Sequence, residues 1–119
     1  MQIGGLDVGP TGCKLTVYDD KGNFIHNEYV EYNVSRKNGA HEIDAEAIFA
    51  AVCTVFQKTC AVCRDLSAVG VTSFGESFAV LDENDRVLLP SMLYTDPRGA
   101  AEIKSLSESL GEETITKIV

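Results

Sequence analysis

The sequence contains few basic residues and no long apolar run. Ten lysines and arginines stand against 18 aspartates and glutamates, so the formal net charge at pH 7 is −8. Such a charge repels nucleic acids and anionic membrane surfaces, and we therefore expect neither as a partner. The longest stretch without a charged residue, Ala47 to Gln57, is much shorter than the roughly 20 residues that a membrane-spanning helix needs.

The N-terminus also lacks the features of a targeting signal. Its first residues, MQIGGLDVG, include no basic segment and no continuous apolar core. We therefore expect a cytoplasmic location. With 119 residues, no internal repeats and no Pro- or Ser-rich linker, the chain is expected to form one domain around a single core.

The four cysteines are expected to be free thiols, because the cytoplasm is reducing. Cys60 and Cys63 have the CxxC spacing of redox and metal sites, so a redox or zinc module is one alternative function. Cys53 shares their predicted helix face, but it would lie about 10.5 Å from Cys60 along the helix axis, too far for one zinc ion. The pair also falls near the C-terminal end of that helix, where the macrodipole opposes a thiolate. Packing against the core is therefore the favoured role.

The first third of the chain predicts three consecutive strands joined by short loops, which implies an antiparallel meander. The predicted strands are residues 2–8, 13–18 and about 24–34. In the second strand Cys13, Leu15 and Val17 alternate on one side, as in a strand with one buried face. The sequence SRKNGAHE, which follows the third strand, is interpreted as a polar loop.

The rest of the chain predicts a helix, a strand, two shorter strands and a last helix. Asp44 is a good N-cap for a helix that runs to about Cys63. The apolar stripe expected to face the sheet is Ile48, Val52, Val55, Phe56 and Val62. Residues 66–74 have the uncharged pattern of a buried parallel strand reached through a helical crossover. The later elements are expected at 77–82, 87–94 and about 99–110.

The predicted element order is therefore β-β-β-α-β-(β-β)-α. Three antiparallel strands that lead through a helix to a parallel strand form the mixed sheet of a ribonuclease-H-like half-domain. We expect this α/β class, the architecture of actin-like ATPases, heat-shock chaperones and sugar kinases. Because this superfamily also contains proteins that are not kinases, a non-kinase nucleotide-binding or interaction module is a second alternative function.

The turn between the first two strands, in the segment DVGPTGCK, combines features that bind phosphate and metal. The residues that can receive an anion are Gly9, Thr11, Gly12 and Lys14, through open backbone, a hydroxyl and a positive charge. Asp7, at the end of a central strand, can hold Mg²⁺ largely through the water molecules of the ion. Pro10 has no N–H, so it removes one donor. The alternative is an ordinary hairpin with a solvated acid and lysine.

A second set of motifs occupies residues 68–98, where TSFGES ends a strand, LDEND and LLP form a hairpin, and YTDPR closes the segment. Together with the N-terminal DxGxTxxK, these motifs and their spacing resemble the FGGY family of carbohydrate kinases from Ile3 to about Gly111. The resemblance implies an ATP-dependent kinase that transfers the γ-phosphate to a sugar or polyol hydroxyl, with ATP and Mg²⁺ as cofactors.

The resemblance also implies roles for individual residues. Asp7 matches the Mg²⁺-associated aspartate of the family, and the turn residues match the loop that contacts nucleotide phosphates. Glu76 stands where some relatives bind substrate hydroxyls, and Gly75 stands where they place an arginine or a methionine, so that contact is missing here. Asp96 matches the closing segment of the family and is a candidate for sugar contact, although a structural ion pair with Arg98 is at least as well supported.

Family members are two-domain proteins of several hundred residues. Their catalytic aspartate and adenine pocket lie beyond the part that this chain resembles. We therefore expect residues 1–119 to be the N-terminal part of a first kinase domain, without a catalytic base and inactive by itself. Its expected ligands are ATP and a sugar or polyol, and a homodimer is kept open as its assembly.

Overall fold

A computed structural model of the chain describes residues 1–118. Val119, the last residue of the predicted domain, lies outside the described residues. In chain order the elements are β1 (Gln2–Val8), β2 (Gly12–Asp19), β3 (Phe24–Glu31), β4 (Val34–Lys37), β5 (Ala40–Ile43), α1 (Ala45–Val62), β6 (Leu66–Ser73), β7 (Val80–Leu81), β8 (Val87–Leu89), β9 (Ser91–Met92), α2 (Ala100–Leu110) and α3 (Glu112–Ile118).

Four strands form the main sheet in the order β3-β2-β1-β6. The neighbours β1 and β2 are antiparallel, as are β2 and β3, whereas β1 and β6 are parallel. The helix α1 connects the meander to β6, so the chain crosses over the sheet between its third and fourth strands. The predicted mixed sheet is thus confirmed.

The core lies between α1 and one face of this sheet. Cys13, Leu15 and Val17 are fully buried on one side of β2, as their alternation predicted. The buried cluster consists of Leu6, Cys13, Leu15, Ala51 and Val55. Each large aliphatic side chain removed from water contributes about 1.5–3 kcal/mol, so this contact holds the helix on the sheet.

The helix α1 begins where it was predicted. The carboxylate of Asp44 accepts a hydrogen bond from the backbone N–H of Glu46 at 3.0 Å, which caps the first turn. By length and composition α1 could span a membrane, but it packs on β2 and β3 with Val55 and Thr59 buried, as the core helix of this domain. The predicted stripe is wrong at Val62, which is 62% exposed, because Thr59 and Cys63 hold the buried positions at this end of the helix.

The segment predicted as a polar loop is a β-hairpin, and the predicted third strand ends at Glu31. Strands β4 and β5 pair antiparallel around the two-residue turn Asn38-Gly39. Both turn residues have positive φ, 53° and 80°, the geometry of the tight hairpin turns that Asn-Gly favours. This hairpin adds a small second sheet, in the order β4-β5-β9.

The parallel strand β6 is present, but the prediction that it is buried is wrong. Six of its eight residues are exposed, and Val71 reaches 69% exposure. Within the described residues β6 has one neighbour in the sheet, β1, so it forms an edge. An uncharged run indicates that a strand can be buried but does not supply the partners that bury it.

The later strands are shorter than predicted. The expected strand at 77–82 is reduced to Val80–Leu81, and the expected strand at 87–94 is divided at Pro90 into β8 and β9. Proline has no N–H for a strand ladder, and here it separates two strands that belong to different small sheets. The predicted helix at 99–110 is confirmed as α2, whereas α3 was not predicted.

Candidate functional site

The sheet face opposite α1 is open and carries a row of polar side chains. In the strand register Asp7 of β1 lies opposite Lys14 of β2 and beside Thr72 of β6. Residues paired across neighbouring strands project from the same face, and all three of these are exposed. They border a shallow concavity of about 520 Å³. Its lining residues are Gly5, Leu6, Asp7, Lys14, Thr16, Gly70, Val71 and Thr72. The predicted acid and lysine therefore share one open surface.

The turn Gly9–Gly12 stands at the end of this surface. The Gly9 N–H donates to the Gly12 carbonyl at 2.9 Å, which closes the turn. The backbone N–H of Tyr32 donates to the Thr11 carbonyl at 3.2 Å, and the Tyr32 hydroxyl donates to the Gly9 carbonyl. Within residues 1–118 the exposed Thr11 has no acceptor for its own N–H. Its N–H and hydroxyl are thus available to an anion.

Neither turn glycine has a positive φ, so the backbone angle does not require glycine here. Close packing requires it instead. A Cβ atom on Gly12 would collide with the hydroxyl oxygen of Tyr29, because the tyrosine ring lies over this glycine. Tyr29 belongs to β3 and pairs with Lys14, which makes it one side of the open surface. Tyr29 and Thr72 were not predicted as site residues. Their alternation within the strands was visible, but their neighbours depend on a register that the sequence does not specify.

The Asp7 carboxylate has no hydrogen bond or ion pair within residues 1–118, although Lys14 is directly opposite. An exposed carboxylate beside a threonine hydroxyl offers the oxygen ligands that Mg²⁺ prefers, and the ion keeps several waters in such sites. Among the described residues there is no group of three or more potential His, Cys, Asp or Glu ligands. A cation at Asp7 would therefore depend on water and on phosphate oxygens for its other ligands.

The cysteines do not form a common site in the described structure. Cys63 is buried and Cys60 is exposed, so the expectation that all helix thiols face the core is wrong for Cys60. Thr59 takes the inward position in that turn, which rotates Cys60 outward. Burial raises the pKa of the Cys13 thiol, only partly opposed by a backbone hydrogen bond, and keeps it in the neutral form.

Gly75 and Glu76 follow the end of β6, next to the end of β1. The N–H of Phe74 donates to the Val8 carbonyl at 3.2 Å, and the Ser77 hydroxyl donates to the Met92 carbonyl at 2.7 Å. These two bonds hold the segment on both sides of Glu76. Its exposed carboxylate has no partner within residues 1–118 and is free to accept hydrogen bonds from a ligand. No neighbour lies within 4 Å of a Cβ built on Gly75.

Asp96 belongs to a different network, centred on the second sheet. Its side chain is 2% exposed and accepts from both Nε and Nη2 of Arg98, at 2.8 and 2.6 Å. It also accepts from the backbone N–H of His41 at 2.7 Å, while Arg98 Nη1 pairs with Glu42 at 2.7 Å. Hydrogen bonding to Arg98 holds the pKa of Asp96 well below its usual range. This carboxylate ties the loop before α2 to β5, and its oxygens are already engaged.

The structure thus brings the predicted phosphate and metal residues together at one end of the open face. Glu76 lies beyond the adjacent strand ends, whereas Asp96 lies in the network on β5. A larger concavity, of about 730 Å³, lies between the β4–β5 hairpin and β8, and none of the predicted site residues line it. The chemistry is therefore concentrated on the open face of the main sheet.

Comparisons with known proteins agree with this geometry. The model of the FGGY family of carbohydrate kinases, N-terminal domain, matches residues 2–119. The xylulose kinase of Staphylococcus xylosus is 23% identical over 117 residues, which cover 96% of this chain and 24% of that protein. The chain spans about a quarter of the length of the curated relatives it matches.

Solved structures show the same fold. The ligand-bound xylulose kinase from Lactobacillus acidophilus matches with a TM-score of 0.78 and 28% identity, over 92% of this chain and 23% of that one. The glycerol kinase of Plasmodium falciparum with ADP matches with a TM-score of 0.83 over 90% of this chain and 23% of that one; at 19% identity this likeness shows the fold alone. The expected α/β class of the actin-like ATPases is confirmed.

Proposed function

Because the chain belongs to the FGGY family of carbohydrate kinases, we propose that it supplies one wall of the active site of an ATP-dependent kinase. That kinase would transfer the γ-phosphate of ATP to a hydroxyl of a sugar or polyol. The single observation that carries the proposal is the arrangement of Asp7, Lys14 and the free Thr11 N–H around one turn on an open face.

In this proposal the turn binds the nucleotide phosphates. The N–H and hydroxyl of Thr11 donate to phosphate oxygens, Lys14 adds a positive charge, and Gly9 places no side chain in the way, while Gly12 leaves room for the ring of Tyr29. Phosphoryl transfer depends mainly on positioning and on neutralising charge spread over phosphate oxygens. These groups can perform both tasks without forming a covalent bond.

The metal role falls to Asp7. Its free, exposed carboxylate fits a hydrated Mg²⁺ ion, and Thr72 offers a neighbouring hydroxyl. When bound, the ion would offset the negative charge of the phosphates. Asp7 would hold the hydrated ion on the same surface as Lys14.

Sugar recognition in this proposal begins at Glu76, whose carboxylate can accept hydrogen bonds from two vicinal hydroxyls. Gly75 next to it adds no side-chain contact to the sugar. Asp96 would act on the sugar only indirectly, by holding its loop against β5, since its oxygens already receive four hydrogen bonds.

The remaining parts of the enzyme would come from outside this chain. We infer that residues 1–119 form the N-terminal part of the first kinase domain, and that a second domain supplies the catalytic base and the adenine pocket. We also infer a cytoplasmic location and keep a homodimer as a candidate assembly. The chain alone is then expected to bind phosphates weakly and to show no sugar-dependent ATP turnover.

The test is an NMR titration of the ¹⁵N-labelled chain with Mg-ATP. We expect amide shifts at Thr11, Gly12 and Lys14, and at least tenfold weaker binding in Lys14→Ala, because the variant removes the cation that faces the phosphates. Lys58→Ala is the matched control, since it removes the same charge from an exposed position on α1. This variant should bind Mg-ATP like the wild type. Equal weakening in both variants, or no shift at the turn, contradicts the proposal.

A second measurement separates a sugar kinase from the non-kinase alternative. In a full-length protein that contains this chain, Glu76→Gln should raise the KM for the sugar at least tenfold and leave the KM for ATP unchanged. A nucleotide-binding or interaction module without sugar chemistry would show no sugar-dependent ATP turnover and would be indifferent to this substitution.

A further inference from the structure

Tyr32, the first residue after β3, contacts the phosphate turn through two separate groups. Its backbone N–H donates to the Thr11 carbonyl at 3.2 Å, and its hydroxyl donates to the Gly9 carbonyl. Its half-buried ring packs against the buried cluster under α1. One residue anchored in the core therefore fixes two carbonyls of the same four-residue turn.

This contact determines which way the peptide groups of the turn face. A trans peptide is planar, so its N–H points away from its C=O. With the Thr11 carbonyl directed at Tyr32, the Gly12 N–H in the same peptide must point to the other side. Holding the Gly9 carbonyl at the tyrosine also keeps its partial negative charge away from an approaching anion. This orientation matters more here because Pro10 supplies no N–H of its own.

The tyrosine hydroxyl can act as a donor over the whole physiological pH range. Burial, the largest cause, and electrostatic interaction with Cys13, Tyr29 and Asp7 together raise the pKa of Tyr32 to about 12. The hydroxyl therefore stays protonated, and its bond to the Gly9 carbonyl does not depend on pH near neutrality.

We propose that Tyr32 is a positioning residue that holds the Gly9–Gly12 turn in its anion-binding form by drawing the Gly9 and Thr11 carbonyls to the core side. The proposal rests on the proposed function, in which this turn binds nucleotide phosphates. Tyr32 touches neither phosphate nor metal in this role. It acts by keeping the turn ordered before the ligand arrives, so that binding does not have to order it.

The test is Tyr32→Phe, which removes only the hydroxyl and keeps the ring and the backbone N–H. In the ¹⁵N-labelled chain we expect faster amide exchange and lower heteronuclear NOE values at Thr11 and Gly12. We expect roughly three- to tenfold weaker Mg-ATP binding, the effect of losing one hydrogen bond. The urea midpoint should change little, because the ring stays in place. Tyr18→Phe is the control, since that exposed hydroxyl on β2 has no hydrogen-bond partner among the described residues.

The outcomes separate this inference from the proposed function. If Tyr32→Phe lowers the urea midpoint but leaves turn dynamics and Mg-ATP affinity unchanged, the residue is only structural and the inference is wrong. If the wild type does not bind Mg-ATP at the turn, the proposed function fails. The exchange and NOE measurements then still decide whether Tyr32 orders the turn. Weaker binding and a looser turn in Tyr32→Phe alone support the positioning role.

Discussion

The two faces of the main sheet differ in composition and in what they do. The face under α1 is apolar and closed, with Cys13, Leu15 and Val17 fully buried along β2. The opposite face carries Lys14 and Thr16 from the same strand and lies open to solvent. A single alternating strand thus supplies the stabilising core with one set of residues and the candidate site with the other.

This division explains why the candidate site can keep unpaired charges. Asp7 and Lys14 do not have to hold the strands together, because the closed face and the backbone ladder already do so. Groups free of structural partners can instead meet a ligand. The division also predicts that substitutions of neighbouring residues of β2 differ in effect: on the closed face they should lower stability, and on the open face they should weaken ligand binding.

The largest effect on stability is expected for Leu15→Ala. This side chain is fully buried in the cluster under α1, and its loss leaves a cavity that lowers the free energy of unfolding by about 2–5 kcal/mol. The adjacent Lys14→Ala should change it by less than about 0.5 kcal/mol, because that side chain is exposed. Urea unfolding followed by circular dichroism measures both. Similar losses in the two variants would refute the division between the faces.

A smaller effect is expected for Asp96→Asn, which tests a polar contact away from the apolar face. Hydrogen bonding to Arg98 lowers the pKa of Asp96, so the folded state favours the carboxylate, and its stabilisation is complete above the unfolded pKa of about 4. The wild type should therefore melt at a higher temperature than the variant at pH 7. The difference should shrink as the pH falls below about 4, because the carboxyl of the unfolded chain then takes up a proton, whereas the folded carboxyl, with its lowered pKa, stays ionised to lower pH.

Salt and a control variant sharpen this measurement. The Arg98 side chain is 45% exposed, so added salt should reduce the difference in melting temperature. Glu83→Gln changes an exposed acid without an ion pair in the described part of the chain, and it should melt like the wild type. A difference that persists unchanged at low pH would mean that the Asp96 charge is not its cause.

After Leu15→Ala and Asp96→Asn, the smallest of the three expected losses of stability is that of Gly12→Ala on the open face. The added Cβ would meet the Tyr29 hydroxyl, which is the free end of a side chain, so the free energy of unfolding should fall by only roughly 0.5–1 kcal/mol. In a Tyr29→Ala background the same change should have almost no effect, and a double-mutant cycle from urea unfolding measures this coupling. Gly75→Ala, which meets no neighbour within 4 Å, is the control. An unchanged loss in the Tyr29→Ala background would show that the ring is not the obstacle.

The sequence predicts best those features that depend on a few neighbouring residues. The alternation in β2 and the Asp44 cap of α1 are local patterns, and both predictions are confirmed. The β4–β5 hairpin had a local signal as well, Asn38-Gly39, but its strands are short and polar and were interpreted as a loop. At this position the turn chemistry of Asn38-Gly39 determines the structure, and the polar composition does not.

Features that depend on distant parts of the chain could not be predicted. The contact of Tyr32 with Gly9 joins residues 23 positions apart, and it follows from how β3 aligns with β2. The exposure of β6 likewise depends on which strands lie beside it rather than on its own residues. For the candidate site, the residue types and the turn could be predicted from the sequence. The placement of these residues relative to one another depends on the strand register, which no local pattern specifies.

The exposed edge of β6 has a practical consequence for work with the isolated chain. Alternate N–H and C=O groups along Leu66–Ser73 have no strand partner on one side within residues 1–118. A long, uncharged edge of this kind acts as a template on which a strand from another molecule can add. Concentrated samples should therefore self-associate, and a lysine substitution at Ala68, an exposed residue of β6 that does not line the open concavity, offers a way to keep the chain monomeric for the titrations.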